Sequence, residues 1–141
     1  MSLYSERLAT LKRDFKLMKD RKGKKPFTEH QQLVYNLVQG ITKVAKLDIG
    51  SITIELKRGD ENKGLEHILL RHFCSGCPGE IEAKDILNIA DIIKRGMRLN
   101  KVGVSNSDLV VYQQFKGVSR HKLVLKPIEN GNFVITLYNA S

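Results

Sequence analysis

The chain has 141 residues, 41% of them hydrophobic and 28% charged, and a formal net charge of +9. That length suits one ordinary domain, or a small domain with a helical appendage, and the apolar fraction excludes global disorder. No apolar run approaches the roughly 18 to 20 residues that span a bilayer, no secretory-signal pattern opens the chain, and no solenoid period recurs.

The first segment carries Tyr4, Leu8, Leu11, Phe15 and Met18 at steps of four and three, the stripe of an amphipathic helix, with Arg7, Lys12, Lys16 and Lys19 opposite. "RKGKKP" breaks it at Gly23 and Pro26. A second helix opens at Thr28, with Gln31 at capping-box spacing, and Leu33, Leu37, Ile41 and Val44 form its stripe. Together these predict a helical hairpin from about residue 3 to 46. Residues 1–48 hold 11 basic and 5 acidic groups, and the local surplus sits in "KRDFKLMKDRKGKK". Such a block attracts polyanions irrespective of sequence, as well as acidic membranes or acidic partners.

From residue 49 the pattern changes. Ile52, Ile54 and Leu56 alternate with polar residues, as in a half-buried strand. "GLEHILLRHF" (64–73) reads as a helix, and "CSGCPG" breaks the chain. "EIEAKDILNIADIIKRGM" reads as one further helix, with Ile86, Ile89, Ile93 and Met97 at helical steps. "DLVVYQQF", "RHKLVLKPI" and "NFVITLYN" then read as strands, the last two joined at Asn130-Gly131, a pair suited to positive φ in a hairpin turn. The expected architecture is α+β: an N-terminal helical hairpin (1–48), followed by a β-α-α-β-β-β domain (49–141) with an antiparallel sheet.

Strand parity places His121, Leu123 and Leu125 on one face and Arg120, Lys122 and Lys126 on the other. In the last strand it groups Phe133, Ile135 and Leu137 as the apolar set, leaving Val134, Thr136 and Tyr138 opposite. Arg120, Lys122, Thr136 and Tyr138 are therefore expected to share the open sheet face, where cations, a hydroxyl and a phenol suit a phosphate and a base. Tyr112 and Tyr138 are the only open-face candidates for base stacking, and so few aromatics do not read as a single-strand stacking platform.

His67, His72, Cys74 and Cys77 fall within eleven residues, which raises zinc. On a helix, however, residues five apart diverge by about 140°, and the cysteine pair is single. Two cysteines three apart cannot staple a long loop, so thiols in a reduced, cytosolic-type setting are expected. P-loop, nucleophile-elbow and H-E-x-x-H patterns are absent. Histidine acid–base chemistry beside cations remains. RNA brings its own nucleophile, the 2′-hydroxyl, so a ribonuclease needs a base, an acid and positive groups on the phosphate, and imidazole suits both proton roles. Arg71, four residues after His67, lies on nearly the same helix face.

"GLEHILLRH", the "DILNIADIIKRG" helix and a meander ending "VITLYN" resemble the barnase–EndoU–colicin–RelE superfamily of ribonucleases, nearest its phage-associated and polymorphic-toxin branches, over about residues 50 to 141. That resemblance implies His67 as the catalytic histidine, with Arg71 or His72 supporting it. Arg120 or Lys122 would be the phosphate contact, and Thr136 and Tyr138 would complete the site. It further implies cytoplasmic, metal-independent cleavage leaving a 2′,3′-cyclic phosphate, without a cofactor. RNA, tRNA among the candidates, is the expected substrate. An acidic immunity or antitoxin protein is the partner expected of a toxin module. The competing expectation is a non-catalytic nucleic-acid-binding or phage assembly domain.

Overall fold

The computed structural model describes residues 2–21, 23, 25–99, 110–116 and 119–140; at 97–99, 110, 112–116 and 119 it describes the backbone alone. Helix α1 (Leu3–Asp20) starts where the Ser2 hydroxyl accepts from the Ser5 N–H at 3.1 Å. Leu11 and Phe15 of its stripe are fully buried, and Tyr4, Leu8 and Met18 pack against the core beside them. Helix α2 (Glu29–Val38) has the expected capping box: Thr28 Oγ1 accepts from the Gln31 N–H, and Gln31 Oε1 accepts from the Thr28 N–H.

α2 stops eight residues before the predicted end. Gly40, at φ 81°, donates its N–H to Leu37 O, and the Ile41 N–H reaches back to Asn36 O. This is a Schellman motif, in which a glycine satisfies the last carbonyls and turns the chain out of the helix. Ile41, read as part of the stripe, is 67% exposed. The chain then forms strand β1 (Val44–Ile49), in which Ala45, Leu47 and Ile49 are buried while Lys46 and Asp48 are exposed, and which pairs antiparallel with β2 (Ile52–Lys57) through a turn at Gly50-Ser51. β1 thus crosses the 48/49 position.

Helix α3 (Gly64–Arg71) buries Leu65, Ile68 and Leu69. The single helix expected next is two, α4 (Ala83–Leu87) and α5 (Ile89–Arg95), broken at Asn88. The Asn88 side chain donates to Lys84 O and accepts from the Gln31 amide, both at 2.8 Å, competing locally with helix continuation. β3 (Met97–Leu99), β4 (Val110–Lys116), β5 (Ser119–Ile128) and β6 (Gly131–Asn139) follow. Residues 117–118, within the break expected between the two strands, lie outside the described residues.

The six strands of the described residues form one sheet in the order β1-β2-β6-β5-β4-β3. It is mixed rather than antiparallel, because β6 returns beside β2 in the same direction, with Ile54 opposite Asn132 and Glu55 opposite Phe133. The β5–β6 turn also departs from expectation: among the described residues no non-glycine residue has positive φ, so Asn130 does not adopt it, whereas Gly131 lies at φ 152°. A Cβ on Gly131 would come within 2.6 Å of Thr53 O, so glycine lets β6 enter alongside β2.

A bulge alters the face assignment in β6. Val124 is opposite Thr136 but Leu125 is opposite Val134, leaving Ile135 as the extra residue. Val134 and Leu137 are consequently both fully buried with Leu123 and Leu125. Phe133, expected in the core, falls on the same face as Lys126, Thr136 and Tyr138.

The helical hairpin and the sheet share one hydrophobic core, in which Leu11, Phe15 and Val34 belong to the same cluster as Leu47, Ile68, Ile86 and Leu123. Phe15→Ala should therefore cost about 3–5 kcal/mol. In guanidinium denaturation it should shift a single cooperative transition; a separate early transition for the hairpin would contradict a shared core.

Candidate active site

Two short loops position the histidines. The first joins β2 to α3. Gly59 and Gly64, at φ 67° and 84°, frame it, and a Cβ on Gly64 would lie 2.8 Å from Lys57 O. Asp60 Oδ1 accepts from the Asn62 N–H at 2.8 Å, tightening the turn. Its Glu61 carbonyl lies 2.8 Å from His67 Nδ1. A carbonyl oxygen only accepts, so Nδ1 carries the proton and Nε2 is the nitrogen left for proton transfer.

The second loop follows α3. His72 is the C-cap residue, and its Nδ1 donates to Pro78 O at 2.7 Å, which again leaves Nε2. Cys74 and Cys77, expected as thiols, are joined in a disulfide within this loop, their Cα atoms 5.4 Å apart. That separation suits the bond, so nothing in the backbone opposes the link. Gly79, at φ 64°, sits so close that a Cβ would be 2.9 Å from Tyr138 Cβ and 3.2 Å from His72 Nδ1. Its carbonyl accepts from the Asn139 N–H at 3.1 Å, fastening the loop to β6.

These contacts bring together three residues chosen from the sequence. The His67 and His72 ring centroids are 5.7 Å apart, and His72 stacks on Tyr138 at 5.3 Å with 27° between the planes. Burial pushes the His72 imidazole below its ordinary pKa; the Pro78 hydrogen bond opposes this, and the His67 and Arg71 charges push it down further. Exposed Arg71 is therefore an electrostatic neighbour of His72. Lys122 lies directly opposite Tyr138 across the β5–β6 pairing, and Arg120, exposed, is on the same face.

Other sequence candidates are placed differently. Thr136 shares the face of Tyr138, but its Oγ1 is withdrawn from solvent and has no hydrogen-bond partner. Tyr112 belongs to β4, and its side chain lies outside the described residues. His121 takes the opposite face and meets Asp85 of α4, Nε2 to Oδ1, at 3.2 Å. Burial pushes the Asp85 carboxyl up, but the hydrogen bonds from His121 and from the Glu82 N–H outweigh it, and its pKa is lowered. His30 lines a cavity of about 200 Å³ between α2 and the α4–α5 break, with its ring nitrogens near Asp48 O and the Lys94 ammonium.

One residue that supports the site gave no separate signal in the sequence. Arg7, read only as part of a cationic face, donates to Leu69 O at 2.8 Å and to Leu70 O at 2.6 Å. It caps the C-terminal end of α3, where carbonyls lack helical partners and a cation is favourable. The neighbouring Arg58 guanidinium stacks 4.5 Å from the Tyr4 ring centroid and pairs with Glu66 at 2.9 Å, so α1 holds α3 at both ends.

Comparison of the chain with protein-family models gives no match, and comparison with curated proteins gives none either. Among the described residues, no helix is long and apolar enough to cross a membrane.

Two outcomes follow from this geometry. By NMR titration His72 should titrate below 6.5, and Arg71→Gln should move it back upward. The stability contributed by its neutral form is full above the unfolded value and is lost as pH falls through the lowered folded one. Thr136→Val removes a buried hydroxyl that has no partner, so it should raise stability by about 1 kcal/mol in denaturant unfolding without moving the His72 titration.

Proposed function

We propose that the protein is a metal-independent endoribonuclease whose site is formed by His67, His72 and Tyr138. The observation that carries this reading is the pair of imidazoles, 5.7 Å apart, each with Nδ1 committed to a backbone carbonyl and Nε2 left for chemistry. A histidine on a helix's polar face needs no such anchor; two anchored side by side suit a concerted proton relay.

His72, with its lowered pKa, is neutral near pH 7 and takes the base role. Its Nε2 removes the proton from the ribose 2′-hydroxyl, and the oxygen attacks the adjacent phosphorus. As the P–O5′ bond breaks, the leaving oxygen takes the Nε2 proton of His67, which enters the step as the imidazolium and leaves it neutral, with Nδ1–H still on Glu61 O. The products are a 2′,3′-cyclic phosphate and a 5′-hydroxyl; no water or metal enters this step. Lys122, Arg71 and Arg120 supply positive potential for the phosphate, and the Tyr138 hydroxyl can donate to a non-bridging oxygen. The ribonuclease-superfamily resemblance over about residues 50 to 141, which implies His67 as the catalytic histidine with Arg71 or His72 in support, agrees with a site at these residues and adds an acidic inhibitor protein as the partner suited to the cationic face.

Purified protein incubated with total RNA in EDTA should yield discrete fragments ending in cyclic phosphate. His67→Ala and His72→Ala should each lower kcat/KM by on the order of 10²–10⁴. In the wild type, kcat/KM should rise as pH increases through the lowered His72 pKa, since only the deprotonated ring is a base. Intact RNA that still shifts at low salt would leave a binding domain, and cleavage that survives both substitutions would move the site elsewhere.

A further inference from the structure

We infer that the open face of β6 carries a second subsite: an aromatic and cationic platform at Phe133 that takes an unpaired nucleobase and its flanking phosphate. The inference rests on the ribonuclease reading for the identity of the strand and extends that reading along β6.

The bulge at Ile135 creates the platform, because it places Phe133 on the face of Thr136 and Tyr138 rather than in the core. There the half-buried ring has the Lys57 ammonium 5.8 Å and the Lys63 ammonium 6.0 Å from its centroid. Exposed Lys126 stands opposite Phe133 across the β5–β6 pairing. Lys57 is matched by Glu55, a nearly buried carboxylate 3.3 Å away. Lys63 and Lys126 have no ion-pair partner among the described residues. Cations gathered around one aromatic ring repel each other until an anion arrives. A ring that stacks a base while lysines hold the adjoining phosphate is the arrangement by which single strands are bound.

The platform and the histidine pair are mechanically linked. The turn at Asp60–Lys63 supplies both the Glu61 carbonyl that anchors His67 and the Lys63 ammonium beside Phe133. Phe133 and Tyr138 stand opposite Lys126 and Lys122, four residues apart on β5, roughly 13 Å at about 3.3 Å per residue. A strand whose reacting phosphodiester meets His67 and His72 can therefore rest a base on Phe133 a few nucleotides away.

The test uses a short 2′-O-methyl oligonucleotide, which lacks the attacking hydroxyl and cannot be cleaved, with 2-aminopurine placed at successive positions. The wild type should quench the fluorophore at positions displaced from the reacting bond. Phe133→Leu, which keeps apolar bulk but removes the ring, should abolish that quenching and weaken binding on the order of ten-fold. Phe133→Tyr should retain both. Lys63→Ala and Lys126→Ala should each reduce the slope of log affinity against log salt by about 0.7. Unquenched fluorophore with the wild type, or equal quenching and affinity with Phe133→Leu, would overturn the platform. Failure of the ribonuclease reading registers separately, as uncut RNA in the EDTA assay. Quenching by His67→Ala equal to that of the wild type would support a platform separate from the chemistry.

Discussion

The parallel pairing of β2 with β6 is short, and the site depends on where it ends. The two strands are in register only at Ile54–Asn132 and Glu55–Phe133, after which β6 bulges at Ile135. Beyond that point the flank of β6 is occupied by α3 and the loop that follows it, joined to the strand through Asn139 N–H and Gly79 O. A longer β2–β6 ladder would consume those backbone groups and leave no room for the helix. Because the ladder stops, the C-terminal end of α3 reaches the far end of β6, and His72 lies on Tyr138.

The hydrogen bonds that hold His67 and His72 go to backbone carbonyls rather than to other side chains. Glu61 O and Pro78 O each accept from an Nδ1, so ring orientation and tautomer follow from two loop conformations. Those conformations are stiffened locally: glycines at 59 and 64 admit the first turn, and the Cys74–Cys77 link with Gly79 closes the second. α1 acts from behind, through Arg7 on the terminal carbonyls of α3 and Arg58 between Tyr4 and Glu66. The basic helix is thus part of the scaffold of the site, while Lys16 and other exposed cations on it remain available to a polyanion.

Much of the local structure was legible because its causes are local. The stripe Tyr4-Leu8-Leu11-Phe15-Met18 and the Thr28–Gln31 box each reflect one element's own periodicity or cap, and the structure contains both; 52–57 is a strand, but Glu55 is buried between Ile54 and Leu56, so it is not the half-buried alternation its sequence suggests. The overextended α2 is a failure of weighting: Ile41 and Val44 continued the period, but Gly40 supplied a stop that the apolar pattern overrode. That same extension absorbed the start of β1 and so cut into the two-residue alternation of Ala45, Leu47 and Ile49. Asn88 is a comparable case, a polar side chain that interrupts an otherwise continuous helical stripe because Gln31 of another helix binds it.

By itself the sequence determined the α+β class, the helical or strand character of α1, α3, β2, β4, β5 and β6, and the face shared by Lys122, Thr136 and Tyr138, because period and parity need only neighbours along the chain. It also named His67, His72 and Tyr138 as candidates through their chemistry. Tertiary structure alone decided that β6 runs parallel to β2, that Ile135 is a bulge, and that Phe133 faces outward while the Thr136 hydroxyl is withdrawn from solvent. It also decided the partners of the site: Arg7 with Leu69 and Leu70, and His72 with Tyr138. Those contacts join residues more than sixty positions apart, and no propensity or spacing encodes a pairing that exists only once the sheet has closed.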